Sequence, residues 1–149
     1  MKVVEASRHL EAPPSKVWAV LADFAGIAGW ADNVDHSCLQ YDGPAAIGST
    51  RRVQVGSRAL LETVEEWVEG TALGYRIDGL PAPAGRGVNR WELTEQGGGT
   101  DVVLRTTIEP GGPPPRAAVV GNVLGRVLLK QSESMLDGLA RHLTNGAPA

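Results

Sequence analysis

The first residues, "KVVEASRHLE", alternate Val4, Ala6, Arg8 and Leu10 against Glu5, Ser7, His9 and Glu11. A period of two predicts a half-buried strand, here with one charged intruder on its apolar face. The period then changes. In "APPSKVWAVLADF" Val17, Trp18, Leu21 and Phe24 recur at helical spacing behind a start at Pro14 or Ser15, and "AGIAGW" continues as a second short helix whose apolar residues are Ile27 and Trp30. Six more strands follow, "VDHSCLQY", "TRRVQV", "RALLETVEEWV", "TALGYRID", "GVNRWELT" and "TDVVLRTTIE", punctuated by Gly, Pro or Asp-Gly. Their short connections predict an antiparallel meander. "PGGPPP" at 110–115 cannot continue a strand and introduces a helix from Arg116 to about His142, with Val120, Val123, Leu124, Val127, Leu128, Met135, Leu139 and Leu143 as its apolar stripe.

One hairpin fixes its own register. In "TRRVQVGSRALLETVEEW" Gly56 and Ser57 suit a two-residue type II′ loop, because its first central residue takes positive φ. Val55 then faces Arg58, Val53 faces Leu60 and Arg51 faces Glu62. Side chains two apart share a face, so Arg51, Val53, Val55, Leu60, Glu62 and Val64 lie together on the more apolar side. An opposed guanidinium and carboxylate therefore stand on the face expected to look inward.

A first strand, two short helices, six antiparallel strands and a long C-terminal helix bury their apolar faces together if a curved seven-stranded sheet wraps the long helix, an α+β arrangement. Gly121, Gly125 and Gly138 in that helix either leave space between helix and sheet or permit close packing.

At 149 residues the chain is expected to be one domain, 1–149, with an ordered core of about 2–143. A net charge of −3 without like-charged runs argues against nucleic acid and membrane-surface partners. Cys38 is the only cysteine, which excludes an internal disulfide and a CxxC site and fits a reducing compartment. No apolar run reaches the roughly 20 residues of a membrane span. With no signal-peptide pattern at the start, the expected location is the cytoplasm. His36 stands beside Asp32 and Asp35, but ligands crowded into five residues diverge, so no metal is expected. No cofactor motif, GxSxG elbow or phosphate loop is present.

"LEAPPSKVWAVLADFAGIAGW", "AIGSTRRV", "LLETVEE", "LGYRIDG" and "SESMLDGLARHL", in this order, resemble the START-like, Bet v 1-like superfamily with the helix-grip fold, and within it the bacterial polyketide cyclase/dehydrase-like branch. The resemblance runs from about residue 2 to residue 143. It implies an elongated cavity for an apolar small molecule, lined by sheet, long helix and short helices. Two loops depart from the pattern, "GLPAPAGRGVN" (79–89) and "PGGPPP", both expected near the cavity rim.

Within that frame Arg51 and Glu62 become polar groups on a greasy wall, either a mutually stabilising pair or a ligand-orienting one. Tyr75, on the face of Leu73 and Ile77, is a further orienting candidate. Asn89, beside Trp91 and Leu93, either meets a ligand or bonds loop backbone. Arg8 reaches the cavity or snorkels at its strand end. Trp30 plugs the core or caps the cavity. Two functions follow. One is binding of a lipid- or polyketide-like molecule, oriented by Arg51, Glu62 and Tyr75, in a monomer or homodimer. The other is a cyclase/dehydratase in which Glu62 moves protons beside a carbonyl and Arg51 stabilises an enolate oxygen.

Overall fold

Short turns leave each successive strand its chain neighbour as partner, and the first strand completes the sheet against the last. In the computed structural model, which describes residues 2–41, 43–81, 86–109 and 114–145, the strands are β1 (Lys2–Leu10), β2 (His36–Leu39), β3 (Thr50–Val55), β4 (Arg58–Val68), β5 (Ala72–Asp78), β6 (Arg86–Gln96) and β7 (Gly99–Ile108). They form one seven-stranded antiparallel sheet ordered β1-β7-β6-β5-β4-β3-β2. Helix α1 (Pro14–Ala22) and a 3₁₀ helix (Phe24–Gly29) run between β1 and β2, and the long helix α2 (Pro114–Asn145) follows β7. This is the helix-grip α+β fold that the element order predicts. Strand β2 covers only the middle of "VDHSCLQY" before the chain enters a loop rich in Gly and Pro. Residues 82–85 and 110–113, within the two departing loops, lie outside the described residues.

The β3–β4 register is the one the turn dictates. Gly56 has φ of 60°, no non-glycine residue among the described ones has positive φ, and the loop is therefore of the II′ kind. Arg51 pairs with Glu62, Val53 with Leu60 and Val55 with Arg58. A bulge between Val64 and Glu66 then adds one residue to β4. Because strand faces alternate, that single residue moves the inner face from the even to the odd positions, and Trp67 turns in to meet the Trp18 ring edge-on at 5.3 Å. The bulge thus lets β4 serve Glu62 at one end and the α1 core at the other.

Helix α2 departs from the expected stripe. Val123 and Val127 are exposed, while Leu136 is buried with Met135 and Leu139. The reason is close approach: α2 packs chiefly on β1, and small residues, Gly121, Gly125 and Ser132, occupy the line nearest the sheet, turning the valines away. The glycines accordingly act through close packing. A Cβ on Gly138 would collide with the backbone carbonyl of Trp30, and one on Gly125 would come within 2.6 Å of the Lys2 side chain.

These two glycines predict opposite outcomes. Gly138→Ala forces backbone apart and should destabilise by about 1–3 kcal/mol despite Ala's helix preference. Gly125→Ala meets only a flexible side-chain end, and should be neutral or stabilising by up to about 1 kcal/mol. Urea denaturation of both variants checks this; equal effects would contradict the packing of α2 on residues 30–31.

Candidate functional site

The inward face of the β3–β4 hairpin carries a guanidinium to the centre of the molecule. Arg51 is 2% exposed and Glu62 6%. A charge that deep needs partners, and Arg51 has hydrogen bonds at Nε and Nη1 and a charge contact at Nη2. Its Nε donates to Glu62 Oε1 at 2.7 Å and its Nη1 to the Phe24 carbonyl at 2.9 Å. Nη2 also lies 2.7 Å from Glu62 Oε1, off the line of a hydrogen bond, so that contact is ionic only. The guanidinium carbon stands 3.7 Å from the Phe24 ring centre and 4.6 Å from that of Tyr75, in the corner the two rings make. Desolvated cation–π contacts of this kind contribute about 2 kcal/mol. Ser37 fixes the 3₁₀ helix that supplies Phe24: its hydroxyl donates to the Ala25 carbonyl and accepts from the Ala28 N–H.

Behind this pair lies a second polar group. Tyr75 is fully buried, and its hydroxyl oxygen accepts from Trp91 Nε1 at 3.2 Å and Asn89 Nδ2 at 3.3 Å. Asn89 Oδ1 in turn accepts from the Thr106 hydroxyl at 2.6 Å. Burial pushes the Tyr75 phenol above its ordinary value, the Glu62 charge adds to this, and Arg51 and the two donors oppose it.

A cavity of about 460 Å³ opens between the sheet and α2. Val53, Leu60, Ile77, Ile27 and Val34 form its inner wall, and Leu124, Leu128 and Met135 its helix wall. It reaches the surface beside the hairpin tip, Val55 to Arg58, and beside Leu80, Pro81 and Val127. Its polar lining includes Glu62, Asn89, Thr106, Asn33, Gln131 and Ser132. Glu62 Oε1 is held by Arg51, whereas Oε2 takes no hydrogen bond among the described residues. Asp35 accepts from the Gly56 N–H at 2.9 Å, tying the hairpin tip to the 33–35 segment across the mouth.

Of the residues singled out from the sequence, Glu62 and Asn89 line this cavity, and Arg51, Tyr75, Trp91 and Trp30 are not among its lining. Arg51 stands behind Glu62, Tyr75 and Trp91 hold Asn89 from behind, and Trp30 packs edge-on against Trp91 at 5.8 Å. Arg8 forms an ion pair with Asp137 of α2 at the protein surface. Asp32 pairs with Arg141, and no group of three His, Cys, Asp or Glu that could hold a metal occurs among the described residues. Sequence reading missed Thr106, Asn33, Gln131 and Ser132. Thr106 had a signal, since it shares the face of Val102, Leu104 and Ile108; Gln131 and Ser132 lie within the six-residue gap between Leu128 and Met135.

The buried pair should respond asymmetrically. Glu62→Leu leaves a cation that cannot shed its charge, and should cost about 3–5 kcal/mol. Arg51→Met leaves a carboxyl that can take up a proton and touches the cavity, and should cost about 1–3 kcal/mol. The double variant should lose less than the sum; additive losses in denaturant would show the two are uncoupled. Tyr75 gives a pH test. Its folded value is raised, so the folded state keeps a proton that the unfolded chain releases above about 10, and stability should fall as pH rises beyond that value. One phenolate step in ultraviolet absorbance should coincide with loss of circular dichroism and be missing in Tyr75→Phe.

Comparison with known proteins agrees with this architecture. No curated protein matches the sequence. Among solved structures, the ZhuI aromatase/cyclase from Streptomyces sp. R1128 is 18% identical with a TM-score of 0.78, over 96% of this chain and 95% of that one. Ara h 8.0201 is 14% identical with a TM-score of 0.74, over 96% and 97%. DynU16, a protein of the dynemicin biosynthetic locus, is 22% identical with a TM-score of 0.71 over 99% of this chain, which spans only 49% of DynU16. At these identities the likeness is one of fold. The family model described as polyketide cyclase / dehydrase and lipid transport matches residues 1–144, and the chain belongs to that family, within the START-like helix-grip superfamily.

Proposed function

We propose that this protein binds an apolar small molecule in the cavity between the sheet and α2, with Glu62 as the internal polar anchor. One observation carries the reading: a mostly apolar cavity of about 460 Å³, of a size usual for ligand pockets, has a carboxylate held rigidly on its wall by a buried Arg. The pair fixes the chemistry it can recognise. Arg51 binds Glu62 and the Phe24 carbonyl, packs on two rings and lies outside the cavity lining, so its guanidinium does not face a ligand carboxylate. What faces the cavity is an acceptor. A ligand hydroxyl or other neutral donor complements it, and a carboxylate placed there meets like charge. Arg58, at the exposed mouth, is the one cation in the lining among the described residues.

Glu62 also supports proton transfer to a bound carbonyl compound as a second reading, because Oε2 is without a partner among the described residues. Enolate stabilisation by Arg51 is not part of it, since Arg51 lies behind Glu62 and outside the lining.

Stilbene compounds separate these readings. Para-hydroxystilbene should bind the wild type about tenfold more tightly than stilbene bearing a para-carboxylate, and the preference should shrink in the Arg51→Met, Glu62→Gln double variant, measured by calorimetry. The opposite preference, abolished by Arg58→Ala, would place recognition at the mouth and remove Glu62 as anchor. For the second reading, the neutral ketone β-tetralone is incubated with protein in deuterium oxide. Exchange of its α-protons faster than in buffer, lost in Glu62→Gln, would favour an enzyme; binding without exchange leaves a carrier.

A further inference from the structure

The lining of the cavity carries a second polar feature, drawn from α2 and from the turn before β2. Asn33 Oδ1 and Gln131 Oε1 are both buried without a hydrogen-bond partner among the described residues, and both residues line the cavity. Ser132, 3% exposed, lines it beside Gln131. Buried polar atoms are satisfied in the great majority of cases, so two such side chains in the cavity lining mark places where a partner fits.

Their backbones are firmly held. Asn33 sits in a turn closed by the Val34 N–H on the Ala31 carbonyl at 3.1 Å. That turn is fastened to α2 at two points: Gly138 abuts the Trp30 carbonyl and Ala31, and Arg141 grips Asp32 through both carboxylate oxygens, at 3.2 and 2.7 Å. Gln131 lies seven residues before Gly138, two helical turns, and so shares its face of α2. The two carboxamides come from separate elements whose spacing the Gly138 contact sets, and an apolar side chain at either position would have filled the wall at no polar cost.

We propose that Asn33 and Gln131, with Ser132, form a carboxamide clamp that selects ligands carrying a second hydroxyl, distant from the one held by Glu62. This deepens the cavity-binding reading and rests on it. A hydroxyl is the matching group because it both donates and accepts, and suits a carboxamide presented by either end. The ligand class is then a neutral apolar skeleton with hydroxyl groups toward two ends. A monocarboxylic fatty acid has neither feature.

The test uses stilbene, para-hydroxystilbene and bis-para-hydroxystilbene against the wild type, Asn33→Leu, Gln131→Leu and the gentler Gln131→Met. In the wild type the second hydroxyl should tighten binding about tenfold, the worth of one well-made hydrogen bond. Each variant should lose that gain, so that bis-para-hydroxystilbene and para-hydroxystilbene bind it equally tightly. Without ligand the melting temperature of the variants should hold or rise, because an unpartnered polar group has been replaced by an apolar one of similar shape. A tenfold gain that survives in all variants overturns the clamp alone. A fall in melting temperature also overturns it, since the carboxamides would then be serving the fold. If no stilbene binds the wild type, the cavity reading itself fails and the clamp falls with it.

Discussion

The arrangement turns on a single buried guanidinium. Arg51 cannot lose its charge, so every direction around it has to offer an oxygen or a ring face. Glu62 supplies one oxygen from the neighbouring strand, the Phe24 carbonyl supplies another from the 3₁₀ helix, and the Phe24 and Tyr75 rings cover the rest. A slip of one residue between β3 and β4 would turn Arg51 or Glu62 outward and leave the other charge buried alone. The pair thereby resists alternative registers, and the same contact pins the 3₁₀ helix over the sheet. Hydrophobic burial alone specifies neither so sharply, since Val53, Leu60 and Ile27 are tolerant of small shifts.

That arrangement divides the inner face of the sheet in two. On one side of Arg51, α1, Trp18, Trp67, Trp91 and Trp30 fill the space with edge-on aromatic contacts. On the other side the lining residues of β3, β4 and α2 stay apart, and the cavity occupies the difference. Thr106, Asn89, Tyr75 and Trp91 run as a hydrogen-bonded series from the cavity wall into the packed half. The buried phenol is therefore part of the partition, with its oxygen taken by donors from β6.

How much of this was legible in the sequence depends on range. The Gly56-Ser57 turn and the period of two placed Arg51 opposite Glu62 and set Tyr75 and Asn89 on the inner face, because those rules act within a few residues. What Arg51 would reach was not legible. Its other partners, Phe24 and Tyr75, come from elements 27 and 24 positions away, and periodicity names a face without its depth. Helix α2 shows the same limit. Counting apolar residues selected Val123 and Val127, whereas the glycine line that approaches β1 rotated them into solvent. Asn33 had no periodic signal, since it lies in a turn; Gln131 and Ser132 had one, a polar gap in an apolar stripe.

The sign of the cavity's internal polarity follows from the order in which the charges are buried. Were Arg51 at the cavity surface with Glu62 behind it, the site would attract anions and stabilise a developing enolate. The chain places them the other way round, because the long Arg side chain reaches past Glu62 to the Phe24 carbonyl and the rings, while the shorter Glu stops at the wall. The permanent charge takes the deep position, where its partners are all protein. The group left at the cavity is the one that can accept a hydrogen bond or take up a proton. On the binding reading proposed above, a carboxylate at the wall with its guanidinium behind it is poorly matched to acids and suits neutral molecules that donate hydrogen bonds.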